Sequence, residues 1–131
     1  MEIVIDTAAI LAVVLEEPER PALVAATTGA VLFAPASLPW EVGNALVAAV
    51  RRRRLSAAAA EAGWTSYQQV AVRLVEVDIR RAIAVAIEHG VYAYDAYMLE
   101  LARSRGLPLL TLDARLSAVA QAAGIDLVEV S

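Results

Sequence analysis

Short apolar runs alternate along the chain with longer segments in which apolar residues recur at helical spacing. The runs have the length and composition of strands and are EIVI (2–5), AVLFA (30–34), VRLVEV (72–77), LPLLTL (107–112) and IDLVEV (125–130). The segments with helical spacing are 7–17, 19–28, 37–54, 56–71, 78–90, 94–106 and 113–124. Three of these helices end at a glycine, a residue that commonly stops a helix: Gly29, Gly90 and Gly106.

This alternation predicts an α/β fold in which a parallel sheet is covered by helices on both faces. No linker, repeat or low-complexity tract interrupts the pattern, so residues 1–131 are expected to form one domain. In open parallel sheets, ligands bind beyond the carboxyl ends of the strands. That edge of the sheet is therefore where a functional site is expected.

Acidic residues meet at that edge if the first strand lies beside the strand at 107–112. Asp6 ends the first strand and Asp113 ends the later one. Glu41 and Asp95 lie in the first turns of helices, which also start at that edge. Each acid could instead cap a helix or complement its positive end. Other glutamates are expected on the solvent side: Glu2, Glu16, Glu17, Glu61 and Glu100.

Carboxylates gathered in one pocket repel each other, by roughly 4 kcal/mol for two charges about 4 Å apart at an effective dielectric constant of about 20. They must take up protons or bind a cation, and the chain has no lysine to neutralise them. Oxygen ligands without cysteine or a histidine pair favour Mg²⁺ or Mn²⁺ over Zn²⁺. Such an ion polarises a phosphoryl oxygen and activates water, so the predicted chemistry is metal-assisted hydrolysis of a phosphodiester.

The composition limits other possibilities. Hydrophobic residues make up 60% of the chain, and its mean hydropathy is +0.59. The longest charge-free stretch is 21–40, but prolines and threonines interrupt it. No membrane-spanning helix is therefore predicted. The excess apolar surface is expected to serve a homodimer or a partner protein. The start MEIVID resembles no signal peptide, and with no cysteine this fits the cytoplasm. The net charge of −4 argues against a surface that is basic all over.

Four segments together resemble the PIN-domain ribonucleases, and most closely the VapC toxins of VapBC toxin–antitoxin pairs: VIDTAAILAV, LPWEVGNAL, YAYDAYMLELARSRGLPLLTLDARL and AGIDLVEV. The likeness covers essentially the whole chain, in order. The resemblance implies a three-layer α/β/α domain whose parallel sheet has the strand order 3-2-1-4-5. It also implies a ribonuclease that uses Mg²⁺ or Mn²⁺ and is bound by a VapB-type antitoxin.

By this resemblance, the family's acidic site and a hydroxyl near it fall on Asp6, Glu41, Asp95, Asp113 and Thr111. Asp6, Asp95 and Asp113 are then expected to bind the metal. Glu41 is expected to bind a second metal or to orient the attacking water. Thr111 is expected to hydrogen-bond an acid or a phosphate oxygen.

Residues outside the acidic site allow more than one interpretation. Many relatives carry serine or asparagine at the position of Ala8, and Thr7 could supply a substitute hydroxyl toward substrate. The run RRRR (51–54) complements the negative end of its helix or contacts phosphates. In the second case Arg51 and Arg52 would bind the RNA backbone about 15 Å from Glu41.

The aromatic residues and the single histidine are expected to have structural roles. For Trp40, Trp64, Tyr67 and Tyr97, packing in the core or in a dimer interface is favoured over base stacking. His89 precedes Gly90 and is expected to end a helix rather than to bind a metal.

Other classes of protein fit the sequence less well. Receiver domains and haloacid-dehalogenase phosphatases also gather acids at this edge but need a lysine, and neither a P-loop nor a GxGxxG motif occurs. The remaining alternative is a non-catalytic PIN-like module that binds RNA or a partner without cutting.

Overall fold

The computed structural model describes all 131 residues, and its elements follow the predicted order. The strands are β1 (Glu2–Ile5), β2 (Val31–Pro35), β3 (Val72–Val75) and β4 (Leu109–Leu110). The helices are α1 (Thr7–Val14), α2 (Arg20–Thr27), α3 (Leu38–Arg51), α4 (Ala57–Gln68), α5 (Ile79–His89), α6 (Ala93–Arg105) and α7 (Ala114–Ala122).

The strands form one parallel sheet in the order β3-β2-β1-β4, within a three-layer α/β/α arrangement. β1 is central, and Ile3 and Val4 on it are fully buried. α1 packs against α2, α3 and α4, while α6 packs against α5 and the sheet. No helix is both long enough and apolar enough to cross a membrane.

The fifth predicted strand, 125–130, is reduced to one parallel bridge between Leu109 and Leu127. Leu109 N donates to the carbonyl oxygen of Asp126 at 2.8 Å, and Val128 N donates to that of Leu109 at 2.9 Å. The segment therefore lies beside β4, where the order 3-2-1-4-5 requires it. It forms no strand because β4 itself is two residues long and offers little edge to pair with.

Two other expectations need correction. α1 stops at Val14 rather than at residue 17, because Leu15 caps it and Glu16 takes a left-handed backbone with φ 55°. Glu100 is only 2% exposed, although it was expected to face solvent. Its carboxylate accepts two bonds from the Arg103 guanidinium, at 2.9 and 2.8 Å, and such a bidentate pair offsets the cost of desolvation.

Glycines are needed in this fold for two different reasons. Gly90 and Gly106 follow α5 and α6 with φ of 65° and 63°, the left-handed conformation that ends a helix at low cost. Gly63 lies inside α4 for a different reason. A Cβ atom there would lie 2.9 Å from Leu15 Cδ2 and 3.3 Å from Leu46 Cδ2, so the missing side chain lets α4 approach α1 and α3.

Candidate active site

The predicted acids line a single pocket at the carboxyl edge of the sheet. The cavity measures about 290 Å³, and its acidic lining consists of Asp6, Glu41, Asp95 and Asp113. Asp6 follows β1 and Asp113 lies three residues beyond β4. Because β1 pairs directly with β4, these two residues reach the same edge despite their separation in sequence.

Asp6 serves the helix and the pocket at the same time. One carboxylate oxygen, Oδ1, accepts the backbone N–H of Ala9 at 2.8 Å and caps α1. The other, Oδ2, accepts the hydroxyl hydrogen of Thr111. Burial raises the pKa of Asp6 to about 6, and the nearby charges of Asp113 and Asp95 act in the same direction. The capping interpretation is therefore correct, and it does not exclude a role in the pocket.

Glu41 is held by two hydroxyl groups. Thr7 Oγ1 donates to Oε1 at 3.2 Å, and Ser37 Oγ donates to Oε2 at 3.0 Å. Ser37 stands at the N-cap of α3, but its hydroxyl reaches this carboxylate instead of the helix backbone. Burial raises the pKa of Glu41, and these two hydrogen bonds oppose the shift. Thr7 thus orients an acid in the structure, while its predicted contact with substrate stays a prediction.

Asp95 lies in the first turn of α6 but does not cap that helix, whose N-cap is Tyr92. Burial raises the pKa of Asp95, the Asp113 charge raises it further, and Arg115 lowers it. Asp113 caps α7 by accepting the backbone N–H groups of Arg115 at 2.8 Å and of Leu116 at 3.2 Å. The ionised form of Asp95 is therefore disfavoured by the charge of Asp113 and favoured by that of Arg115.

The donor set of the pocket fits a hard divalent cation. All of its charged donors are carboxylate oxygens, which Mg²⁺ and Mn²⁺ prefer. Burial raises the pKa values of Asp6, Glu41 and Asp95, and the charges of neighbouring acids raise them further. No three of these acids are close enough together to form a ready-made metal centre. Binding an ion would therefore require the side chains to draw together.

The predicted phosphate contacts lie away from this pocket. Arg51 is the last residue of α3 and Arg52 its C-cap, at the opposite end of the helix from Glu41. Arg51 lines a separate groove between α3 and α4 together with apolar residues such as Val47 and Trp64. A contact between these arginines and RNA remains a prediction.

Sequence reasoning missed two residues that line the pocket and an arginine whose charge acts on Asp95. Asn44 lies one turn after Glu41 and lines the cavity, so helical spacing alone could have identified it. Tyr94 also lines the cavity, directly before Asp95. Arg115 donates through Nη2 to the carbonyl oxygen of Gly90 at 3.0 Å, a contact between α7 and the end of α5 that no local pattern reveals.

Comparison with known proteins agrees with this architecture. The family model of the PIN domain matches residues 3–122. The chain belongs to the PIN-domain family.

Two relatives come from Pyrobaculum aerophilum. Ribonuclease VapC3 of that organism is 34% identical in an alignment 122 residues long, which covers 89% of this chain and 93% of VapC3. The crystal structure of PAE2754 superimposes with a TM-score of 0.72 at 26% sequence identity, covering 98% of this chain and 84% of PAE2754. The likeness to both extends over nearly the whole fold.

Proposed function

We propose that this protein is a metal-dependent endoribonuclease that hydrolyses RNA phosphodiester bonds. The observation that carries the proposal is the convergence of four carboxylates, from two strand ends and two helix starts, on one pocket. The name of Ribonuclease VapC3, a relative that matches along nearly its whole length, supports the same reaction.

In this proposal Asp6, Asp95 and Asp113 hold Mg²⁺ or Mn²⁺. When bound, the ion supplies Lewis acidity toward a phosphoryl oxygen and a water of lowered pKa. Asp6 keeps its orientation because its two oxygens accept from Ala9 and Thr111.

Glu41 orients the attacking water or holds a second ion. Thr7 and Ser37 each donate a hydrogen bond to one oxygen of its carboxylate, so one rotamer is favoured in advance of substrate binding. Thr111 acts through Asp6 and is a positioning residue.

The same relative supports a finer biological role. We propose that the chain is the toxin of a type II pair in the cytoplasm, restrained by a VapB-type antitoxin, and that it acts as one domain and as a homodimer. A short neighbouring gene that encodes a DNA-binding fold with a flexible tail would support this role. Co-expression of that gene should relieve growth inhibition caused by the toxin.

The alternative is a PIN-like module that binds RNA or a partner without cutting. One experiment separates the two: purified protein is incubated with host RNA and Mn²⁺, beside the variants Asp6→Asn and Asp95→Asn. We expect cleavage by the parent and its loss in both variants. Asp78→Asn is the matched control, because Asp78 also caps a helix, α5, but lies outside the pocket.

Circular dichroism must show that the variants fold. Tight RNA or partner binding without cleavage by the parent would favour the binding module. Equal cleavage by the parent and Asp95→Asn would place the chemistry elsewhere.

A further inference from the structure

Apolar side chains stand beside the acids around the pocket. Three of the acids are each preceded in sequence by a large apolar residue that is partly or largely exposed. The pairs are Trp40–Glu41, Tyr94–Asp95 and Leu112–Asp113. Trp40 is 75% exposed and Tyr94 is 45% exposed, so neither ring packs in the core as aromatic side chains usually do.

The two rings lie in the first turns of different helices. Tyr94 lines the cavity from the first turn of α6, and the Tyr97 ring meets it edge-on at 5.9 Å and 79°. Trp40 lies in the first turn of α3, one turn before Asn44 and on the same face of that helix. Asn44 lines the cavity, whereas Trp40 is not itself among the lining residues and lies one helical turn before it.

The pattern favours a nucleobase over a protein surface. The core of a protein interface is depleted of charge, whereas here Trp40, Tyr94 and Leu112 are each followed by a carboxylate. A cavity of about 290 Å³ is at the lower end of the range for small-ligand pockets, which suits one nucleotide better than a helix.

Electrostatics gives a reason for stacking. A protein of net charge −4 with an acidic pocket repels a phosphate backbone, and Arg115 is the arginine whose charge acts on Asp95. Stacking on an aromatic ring contributes about 1–3 kcal/mol per base without needing positive charge. Exposed rings beside the acids therefore supply binding free energy where charge attraction is weak.

We infer that Trp40 and Tyr94 stack on unpaired nucleobases next to the phosphate that is cut, one ring from α3 and one from α6. The inference rests on the proposed function and deepens it. A base can reach these rings only when it is free of its own duplex, so annealing the RNA to its complement should abolish the contact.

Binding tests the inference without relying on catalysis. A labelled single-stranded RNA of mixed sequence, and the same RNA annealed to its complement, are titrated with Asp113→Asn protein in Mg²⁺, which keeps the RNA uncut. Adding Trp40→Leu or Tyr94→Leu should weaken single-strand binding by about 5- to 100-fold each. Tyr94→Phe, which keeps the ring, should bind within about twofold of the parent.

Tyr92 provides the matched control. It is the control for Tyr94: an exposed tyrosine, 81% accessible, two residues away, that does not line the cavity as Tyr94 does, so Tyr92→Leu should bind like the parent. Unchanged single-strand binding by Trp40→Leu and Tyr94→Leu would overturn the inference. Equal losses of affinity for single-stranded and duplex RNA would also overturn it. An altered oligomeric state with unchanged RNA binding would overturn it too, and would assign these rings to a protein interface.

Fluorescence gives a second readout. The chain has two tryptophans, so Trp64→Phe leaves Trp40 as the single emitter. Single-stranded RNA should quench its emission, and absence of quenching at saturating RNA would count against stacking. Cleavage of the same RNA by protein with all four acids intact tests the proposed function separately. Cleavage by both leucine variants at the parental kcat/KM would sink the stacking inference and leave the ribonuclease assignment standing.

Discussion

The hydroxyl of Thr111 donates to the carboxylate of Asp6, joining two residues that are 105 positions apart in the chain. The same oxygen, Thr111 Oγ1, accepts the backbone N–H of Asp113 at 3.0 Å. One side chain therefore connects two acids of the pocket, one at the end of β1 and one at the cap of α7. The short β4 strand brings this threonine to the edge beside β1.

Replacing Thr111 by valine should impair activity most strongly at low pH. The threonine hydrogen bond lowers the pKa of Asp6, which burial has raised, so its loss keeps the acid protonated to higher pH. Protonated Asp6 cannot hold a cation, and we expect about a tenfold loss of kcat/KM at subsaturating Mn²⁺ near pH 6 and a smaller loss near pH 8. A pH–rate profile measures this.

Thr111→Ser is the matched control, since it keeps the hydroxyl and should keep the profile. A valine variant whose loss is the same at every pH would show that Thr111 acts only on structure.

Asp6→Asn should stabilise the fold at neutral pH when no divalent cation is present. The folded-state pKa of Asp6 is about 6 against an ordinary 3.8, so the folded protein binds the proton more tightly than the unfolded chain does. The favourable contribution is complete below pH 3.8 and is lost as pH rises through 6. At pH 8 the variant should gain about 1–3 kcal/mol in free energy of unfolding, with the gain vanishing near pH 4.

Urea unfolding of both proteins from pH 4 to pH 8 checks this expectation. Lower stability of Asp6→Asn at pH 8 would mean that the cap on α1 and the Thr111 contact outweigh the burial of charge.

Added Mn²⁺ should raise the melting temperature of the parent, and a chelator should reverse the rise. An ion that binds only the folded state stabilises it by about 2.7 kcal/mol when its concentration is about 100 times Kd. At about 2–8 °C per kcal/mol, this corresponds to a rise in melting temperature of roughly 5–20 °C. Asp95→Asn, which removes a carboxylate but no helix cap, should lose most of the shift. An equal rise in Asp78→Asn and Asp95→Asn would locate the ion outside the pocket.

Breaking the ion pair of Glu100 and Arg103 should change the stability of the fold rather than its activity. Arg103→Met leaves a carboxylate that is 2% exposed without its partner, and we expect a loss of about 1–3 kcal/mol in urea unfolding. The double variant Glu100→Leu, Arg103→Met should recover most of that loss, because no buried charge remains.

Arg80→Met, on the exposed surface of α5 with no ion pair, should be close to neutral. A double variant no more stable than the single one would show that the pair fixes the packing of α6.

The pattern of apolar residues was sufficient to predict the order of the elements, because each strand and helix has a distinct local period. It could not predict that 125–130 forms a single bridge, since that outcome depends on the length of β4, its partner. The solvent exposure expected for Glu100 was wrong for a related reason. A glutamate on a helix is usually exposed, and its burial depends on Arg103 one turn later.

The candidate site was predicted in part. Its acids could be placed because residues after parallel strands and at helix starts meet at one edge, a rule of topology. The hydroxyl groups of Ser37 and Thr7 around Glu41 could not be assigned, since each had another plausible role in the sequence. Arg115 and Tyr94 depend on the packing of α6 and α7, which one sequence does not disclose.

The pairing of β1 with β4 has a consequence for biosynthesis. The first acid of the pocket leaves the ribosome at the beginning of translation, whereas the last is Asp113 in a chain of 131 residues. A nascent chain therefore cannot assemble the four-acid pocket until synthesis has passed Asp113 and β4 has docked beside β1.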